Sequence, residues 1–119
     1  MISVAWMKCG NDGHYCDLEL LDLGTVTAKN GVYVIWHEGN PGRVVRIGQG
    51  DIVSRLGAHR RDAAILAYKK HGKLRVTWAA VPAHQLDGVE RYLANAWPPL
   101  IGDAFPDVAP LAVNSPFAA

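Results

Sequence analysis

The apolar positions of this chain change period several times, and each change marks an element. Residues 31–37, "GVYVIWH", are β-branched and aromatic and predict a strand. "EGNPG", 38–42, is dense in turn formers, and "RVVRI", 43–47, returns as the partner strand of a hairpin. Gly48 and Gly50 then read as a tight exit from that strand, since glycine tolerates positive φ. From Asp51, a suitable N-cap, the period becomes helical. Ile52, Leu56, Ala63, Leu66 and Ala67 fall on one face and predict a helix over 52–70. "LRVTWAAV", 74–81, alternates as a third strand, and Pro82 stops it. Leu86, Val89, Leu93 and Trp97 give the stripe of a second helix over 84–97, ended by Pro98 and Pro99. Residues 1–30 read as an irregular extension that packs on the core, and residues 100–119 as a proline-rich ordered coil.

The order hairpin, helix, strand, helix predicts an α+β fold: a small three-stranded antiparallel sheet flanked by helices. A chain of 119 residues fits one domain with one modest core. Half of it is apolar and 19% is charged, which excludes a disordered chain. No apolar run approaches the roughly 20 residues of a membrane span, so no membrane partner is expected. The N-terminus, "MISVAWMKCGNDG", lacks a basic region followed by a long apolar core, and a cytoplasmic protein is the expectation. Cys9 and Cys16 are then expected to be reduced. With His14 between them, "CGNDGHYC" hints at a metal site, but the second ligand pair that zinc spacing normally brings is missing.

A net charge of +1 does not announce a nucleic-acid binder, yet the charges are unevenly spread. Arg43, Arg46, Arg55, Arg60, Arg61, Lys69, Lys70, Lys73 and Arg75 lie in one window whose only acids are Asp51 and Asp62. This is either a phosphate-binding face or an ordinary solvated helix face.

"GQGDIV" begins like a dinucleotide fingerprint, but Val53 stands where the third glycine belongs, and the turn has no Walker lysine. Glu90 is more informative. It falls inside the stripe of Leu86, Leu93 and Trp97, where an unpaired carboxylate is too costly to desolvate. It needs a metal ion, an arginine such as Arg55, or an open cleft. Arg55 and His59, four residues apart, share one helix face at the border of the apolar stripe. Tyr33 sits mid-strand. If it faces Arg55 and Glu90, its phenol becomes easier to deprotonate. Asn114, among apolar residues and prolines, needs hydrogen-bond partners, as a site residue or as a loop anchor.

Taken in order, these residues resemble the GIY-YIG nuclease superfamily over roughly residues 31–116. "GVY" (Gly31, Val32, Tyr33) matches the first half of the name motif, and "RIG" (Arg46, Ile47, Gly48) occupies the second. Arg55 and His59 match the arginine and histidine of the following helix. Glu90 matches the glutamate of the next, and Asn114 the asparagine beyond. The resemblance implies divalent-metal-dependent endonucleolytic hydrolysis of nucleic acid, DNA first, leaving a 5′-phosphate and a 3′-hydroxyl. It implies that Glu90 holds one Mg2+ or Mn2+ ion and that Arg55 neutralises charge on the phosphate. Tyr33 would act as general base or hold the attacking water, with His59 assisting. Arg46, Gly48, Arg60, Arg61 and Asn114 would line the nucleic-acid path. Arg46 departs from the family pattern, because a tyrosine is expected there. A catalytically silent nucleic-acid-binding domain and a protein-interaction domain are the alternatives. Monomer and dimer are both compatible with the sequence.

Overall fold

A computed structural model describes residues 1–10, 13–102 and 105–117. Four strands, β1 (Cys16–Asp17), β2 (Asn30–His37), β3 (Arg43–Asp51) and β4 (Leu74–Ala80), form one antiparallel sheet in the spatial order β1-β4-β2-β3. Three α-helices flank it among the described residues: α1 (Ile52–His59), α2 (Ala63–Leu66) and α3 (Leu86–Ala96). The α+β class therefore stands. The sheet gains a fourth strand because Cys16 and Asp17 of the supposedly irregular extension pair with Val76 and Arg75. Two residues are too few to leave a period of two in the sequence.

β2 lies between β3 and β4, which explains its near-continuous apolar run: both faces are covered. On one face Tyr33 and Ile35 meet Ile52, Leu56, Ile65, Val76 and Trp78. On the other, Val32 and Val34 meet Ile47, Val89, Leu93 and Val113. The helices thus seal opposite faces, α1 and α2 on the first and α3 on the second.

The predicted helix over 52–70 is broken. Asp51 caps α1 by accepting from the Ser54 N–H at 2.9 Å, as expected. Asp62 then caps a new start, accepting from the Ala64 N–H at 2.9 Å, and a 3₁₀ turn, Ala67–Lys70, follows α2. A second N-cap aspartate competes with helix continuation. The break rotates the stripe. Ile65 is fully buried, whereas Ala63 and Ala67 are exposed. α3 is preceded by a 3₁₀ turn, Ala83–Gln85, and ends before Pro98, since a residue before proline avoids helical geometry.

The glycines do not form the exit turn expected of them. β3 runs through Gly48 and Gly50 to Asp51, and the passage to α1 falls between Asp51 and Ile52. A register shift opposite Ile35 and Trp36 inserts one residue into β3 and sets Arg46 opposite Ile35. Leu100 and Ile101 donate their N–H groups to the carbonyls of Val44 and Val45, covering the first part of the outer edge of β3.

Cys9 and Cys16 are joined in a disulfide, so the expectation of reduced thiols is corrected, and with it the hint of a metal site at Cys9, His14 and Cys16. The chain folds back between the two cysteines. Cys9 donates its N–H to the His14 carbonyl at 2.7 Å, and the two α-carbons stand 4.9 Å apart. No helix among the described residues is long and apolar enough to cross a membrane.

Candidate active site

The hairpin register sets Tyr33 directly opposite Gly48. A β-carbon on Gly48 would lie 2.2 Å from the Tyr33 hydroxyl, so the bare glycine lets the phenol pass across β3. The hydroxyl then meets His59 Nε2 at 2.5 Å. Gly50 has φ of +129°, and a β-carbon there would crowd Arg55 Nε at 3.1 Å. Both glycines are spaces for the side chains of one cluster, which is why the stretch is glycine-rich without cradling a nucleotide.

Burial and neighbouring charge fix the protonation of the pair. Tyr33 is 2% exposed, and burial raises its pKa above the ordinary phenol value. Arg46 and Arg55 pull it down, Arg46 more strongly, but burial outweighs them. The phenol is therefore harder to ionise, not easier as the neighbouring cations alone predict, because desolvation penalises phenolate. His59 moves the other way. Burial, assisted by Arg46 and Arg55 and opposed by Asp62, lowers its pKa below 6.5. A lowered pKa favours the uncharged imidazole, and in its Nδ1–H tautomer Nε2 accepts from the phenol.

Glu90 approaches from α3, on the other face of the sheet, and is 8% exposed. Its partner is not an arginine. Gln49 of β3 donates from Nε2 to Glu90 Oε1 at 3.1 Å and to Asp87 Oδ1 at 2.7 Å. No ion pair joins Glu90 to Arg46 or Arg55 among the described residues. Burial raises its pKa above 4.5, and nearby Asp87 adds to this, while the Gln49 hydrogen bond and the charges of Arg46 and Arg55 oppose it. Arg46 and Arg55 act electrostatically on both Tyr33 and Glu90.

Gln49 and Asp87 escape a reading of sequence alone. Gln49 was hidden because 48–50 reads as a turn; recognised as strand, its place two residues after Ile47 would put it on the α3 side. Asp87 had a signal: it precedes Glu90 by three residues, one helical turn, so both carboxylates share a face.

The remaining predicted residues separate. Asn114 accepts from the Val4 N–H at 2.7 Å and donates to the Val4 carbonyl at 3.0 Å, the loop-anchor role. It holds the N-terminal segment to the tail, and among the described residues no hydrogen bond joins it to the Tyr33 cluster. Arg60 donates from Nη2 to the Leu21 carbonyl at 2.6 Å, and Arg61 is exposed. Lys69 and Arg75 pair with Glu19 and Glu38. The basic window is thus partly spent inside the fold. Arg46 Nε is buried without an acceptor, which leaves part of that guanidinium unused.

Two cavities among the described residues lie elsewhere. One of about 480 Å3 is walled by Trp36, Trp97 and Phe117, and another of about 470 Å3 by His37, Tyr68 and His71. The Tyr33 cluster lies instead beside β3, the edge strand of the sheet. Comparison with family models, with curated proteins and with solved structures finds no match to this chain.

Proposed function

We propose that the chain is a divalent-metal-dependent endonuclease that hydrolyses phosphodiester bonds of nucleic acid, DNA first, by chemistry of the GIY-YIG kind. The observation that carries the reading is the 2.5 Å contact between the Tyr33 hydroxyl and His59 Nε2, set among Arg46, Arg55 and Glu90. A structural tyrosine needs only some acceptor. A neutral imidazole as that acceptor gives the phenol proton a place to go.

The donor set fits a hard cation. Glu90 offers a buried carboxylate whose charged form is penalised by burial, a penalty that Mg2+ or Mn2+ would relieve. Asp87, one turn away, shares the Gln49 amide with Glu90 and would add negative charge for such an ion. When bound, the ion would supply Lewis-acid stabilisation of the phosphate and of the departing 3′ oxygen. Among the described residues no cluster of three or more His, Cys, Asp and Glu side chains gathers here, so the ion would keep most of its waters.

The chain's own residues do the rest. Tyr33 orients the attacking water and takes its proton as its own passes to His59, which keeps phenolate from standing free in a buried place. Arg55, exposed on α1, and Arg46 hold the phosphate and offset the charge that develops on it. Arg46 where the family pattern has tyrosine leaves Tyr33 as the sole phenol of the cluster.

The test is nicking of supercoiled plasmid and of single-stranded DNA with Mg2+, comparing the native chain with Glu90→Ala and Tyr33→Phe. Cleavage by the native chain, lost in both variants, is expected. A folded native chain that is inert on every substrate with Mg2+ and Mn2+ sinks the proposal. Salt-sensitive binding without cleavage would then favour the silent nucleic-acid-binding domain.

A further inference from the structure

At the other end of β2, a cavity of about 470 Å3 opens between the β2–β3 loop and the turn that follows α2. That volume is ordinary for a small-molecule site. Its walls include Arg43, Lys70, His37, His71 and Tyr68, and no carboxylate. The nearest acid in sequence, Glu38, is held by Arg75.

The site is built rather than incidental. His37 is 4% exposed, and its Nδ1 accepts from the Gly39 N–H at 3.0 Å. The neutral ring therefore carries its proton on Nε2, which leaves that nitrogen as a donor. A β-carbon on Gly39 would stand 2.8 Å from both His37 Nδ1 and the His71 carbonyl, so the loop closes tightly on the ring. His71 lies 5.2 Å from His37 between ring centres, and the Tyr68 ring is almost parallel to His37 at 10°. Arg43 is the strand partner of His37, so its backbone is fixed to the sheet. Burial, with the nearby His71 and Arg43, holds the His37 pKa below its ordinary value.

We propose that this cavity is a second anion site that takes a phosphate group, with Arg43 and Lys70 supplying charge and the two imidazoles supplying directed donors. Charged and hydrogen-bonding side chains that line one cavity from two strands and a turn suit a phosphate dianion. The inference does not depend on the nuclease reading. A free phosphate and the terminal phosphate of an oligonucleotide present the same chemistry.

The experiment follows the imidazole resonances of His37 and His71 by NMR in the full chain. Inorganic phosphate is titrated first, then a short single-stranded oligonucleotide with and without a 5′-phosphate, all at constant ionic strength. Saturable shifts of both rings are expected. Arg43→Gln and Lys70→Gln, at exposed positions that leave the core intact, should each weaken binding about tenfold. Preference for the phosphorylated oligonucleotide over its unphosphorylated twin identifies a nucleic-acid end as the source. Equal response to inorganic phosphate alone identifies a free anion. Glu90→Gln should leave these shifts unchanged, which separates this site from the Tyr33 cluster. No saturable shift of either ring with any of the phosphates, or undiminished affinity in both variants, overturns the proposal.

Discussion

Gly48 and Tyr33 form a pair in which one residue's emptiness is the other's path. Adding a methyl group to Gly48 places it 2.2 Å from the phenolic oxygen and 2.5 Å from the ring carbon that bears it. Gly48→Ala should therefore destabilise by about 1–3 kcal/mol, the usual cost of overpacking. It should also displace the hydroxyl from His59. A thermal melt checks the first effect and the nicking assay the second. Glu90 carries the opposite trade. As a buried carboxylate with a raised pKa it binds protons more readily folded than unfolded, so its ionisation opposes folding as pH rises above 4.5. Glu90→Gln keeps the shape and removes that charge. We expect its Tm at neutral pH to rise by a few degrees, on the order of 1 kcal/mol. Its cleavage rate should fall roughly a hundredfold or more. A Glu90→Gln protein that is less stable at neutral pH would show that the carboxylate is structurally required.

At the scale of elements, two aspartates decide where helix begins. Asp51 and Asp62 each cap a start, and the second divides what the apolar spacing presents as one helix. Asp62→Ala removes the Ala64 cap and should cost about 1 kcal/mol, read by denaturant unfolding. α3 is anchored differently, without a side-chain cap, through the buried stripe of Leu86, Val89 and Leu93. Leu93, fully buried, should cost about 2–5 kcal/mol when truncated to alanine. Such a loss would loosen Glu90, one turn earlier on the same helix, so activity should fall faster than the folded fraction. The hairpin is the most legible element: two β-branched runs around "EGNPG" leave little choice of pairing. β1 is the least legible, because its two residues take strand geometry from β4 and not from their own period.

Over the whole molecule, the buried His37 and the half-buried His59 set the acid limit. His37 and His59 both have pKa values depressed below 6.5, so the folded state binds fewer protons than the unfolded state as pH falls through that value. Their contribution to stability is fully present above 6.5 and is lost as pH drops through the folded values. Tm should accordingly fall between pH 7.5 and pH 5, and the effect should shrink in a His59→Gln variant. Cleavage should share this limit, because His59 accepts a proton only while neutral. An acid limb lying well above pH 6.5 would contradict that assignment. The disulfide closes a loop spanning seven positions, and its reduction should lower stability by about 2 kcal/mol without unfolding the sheet.

The sequence by itself determined the hairpin, the third long strand and α3, because each rests on local spacing: strand-like runs or helical stripes. The grouping of Tyr33, Arg55, His59 and Glu90, scattered over 58 positions from 33 to 90, is an expectation from the family resemblance. Only the tertiary structure decided what those residues touch. The rung of Tyr33 on Gly48, the amide of Gln49 as partner of Glu90, the anchoring of Val4 by Asn114 and the Cys9–Cys16 bond are all contacts between segments brought together by folding. Such contacts leave no period along the chain. The balance of charge and burial at Tyr33 belongs to the same class, since residue type announces a neighbouring cation, but only depth within the sheet shows that desolvation outweighs it.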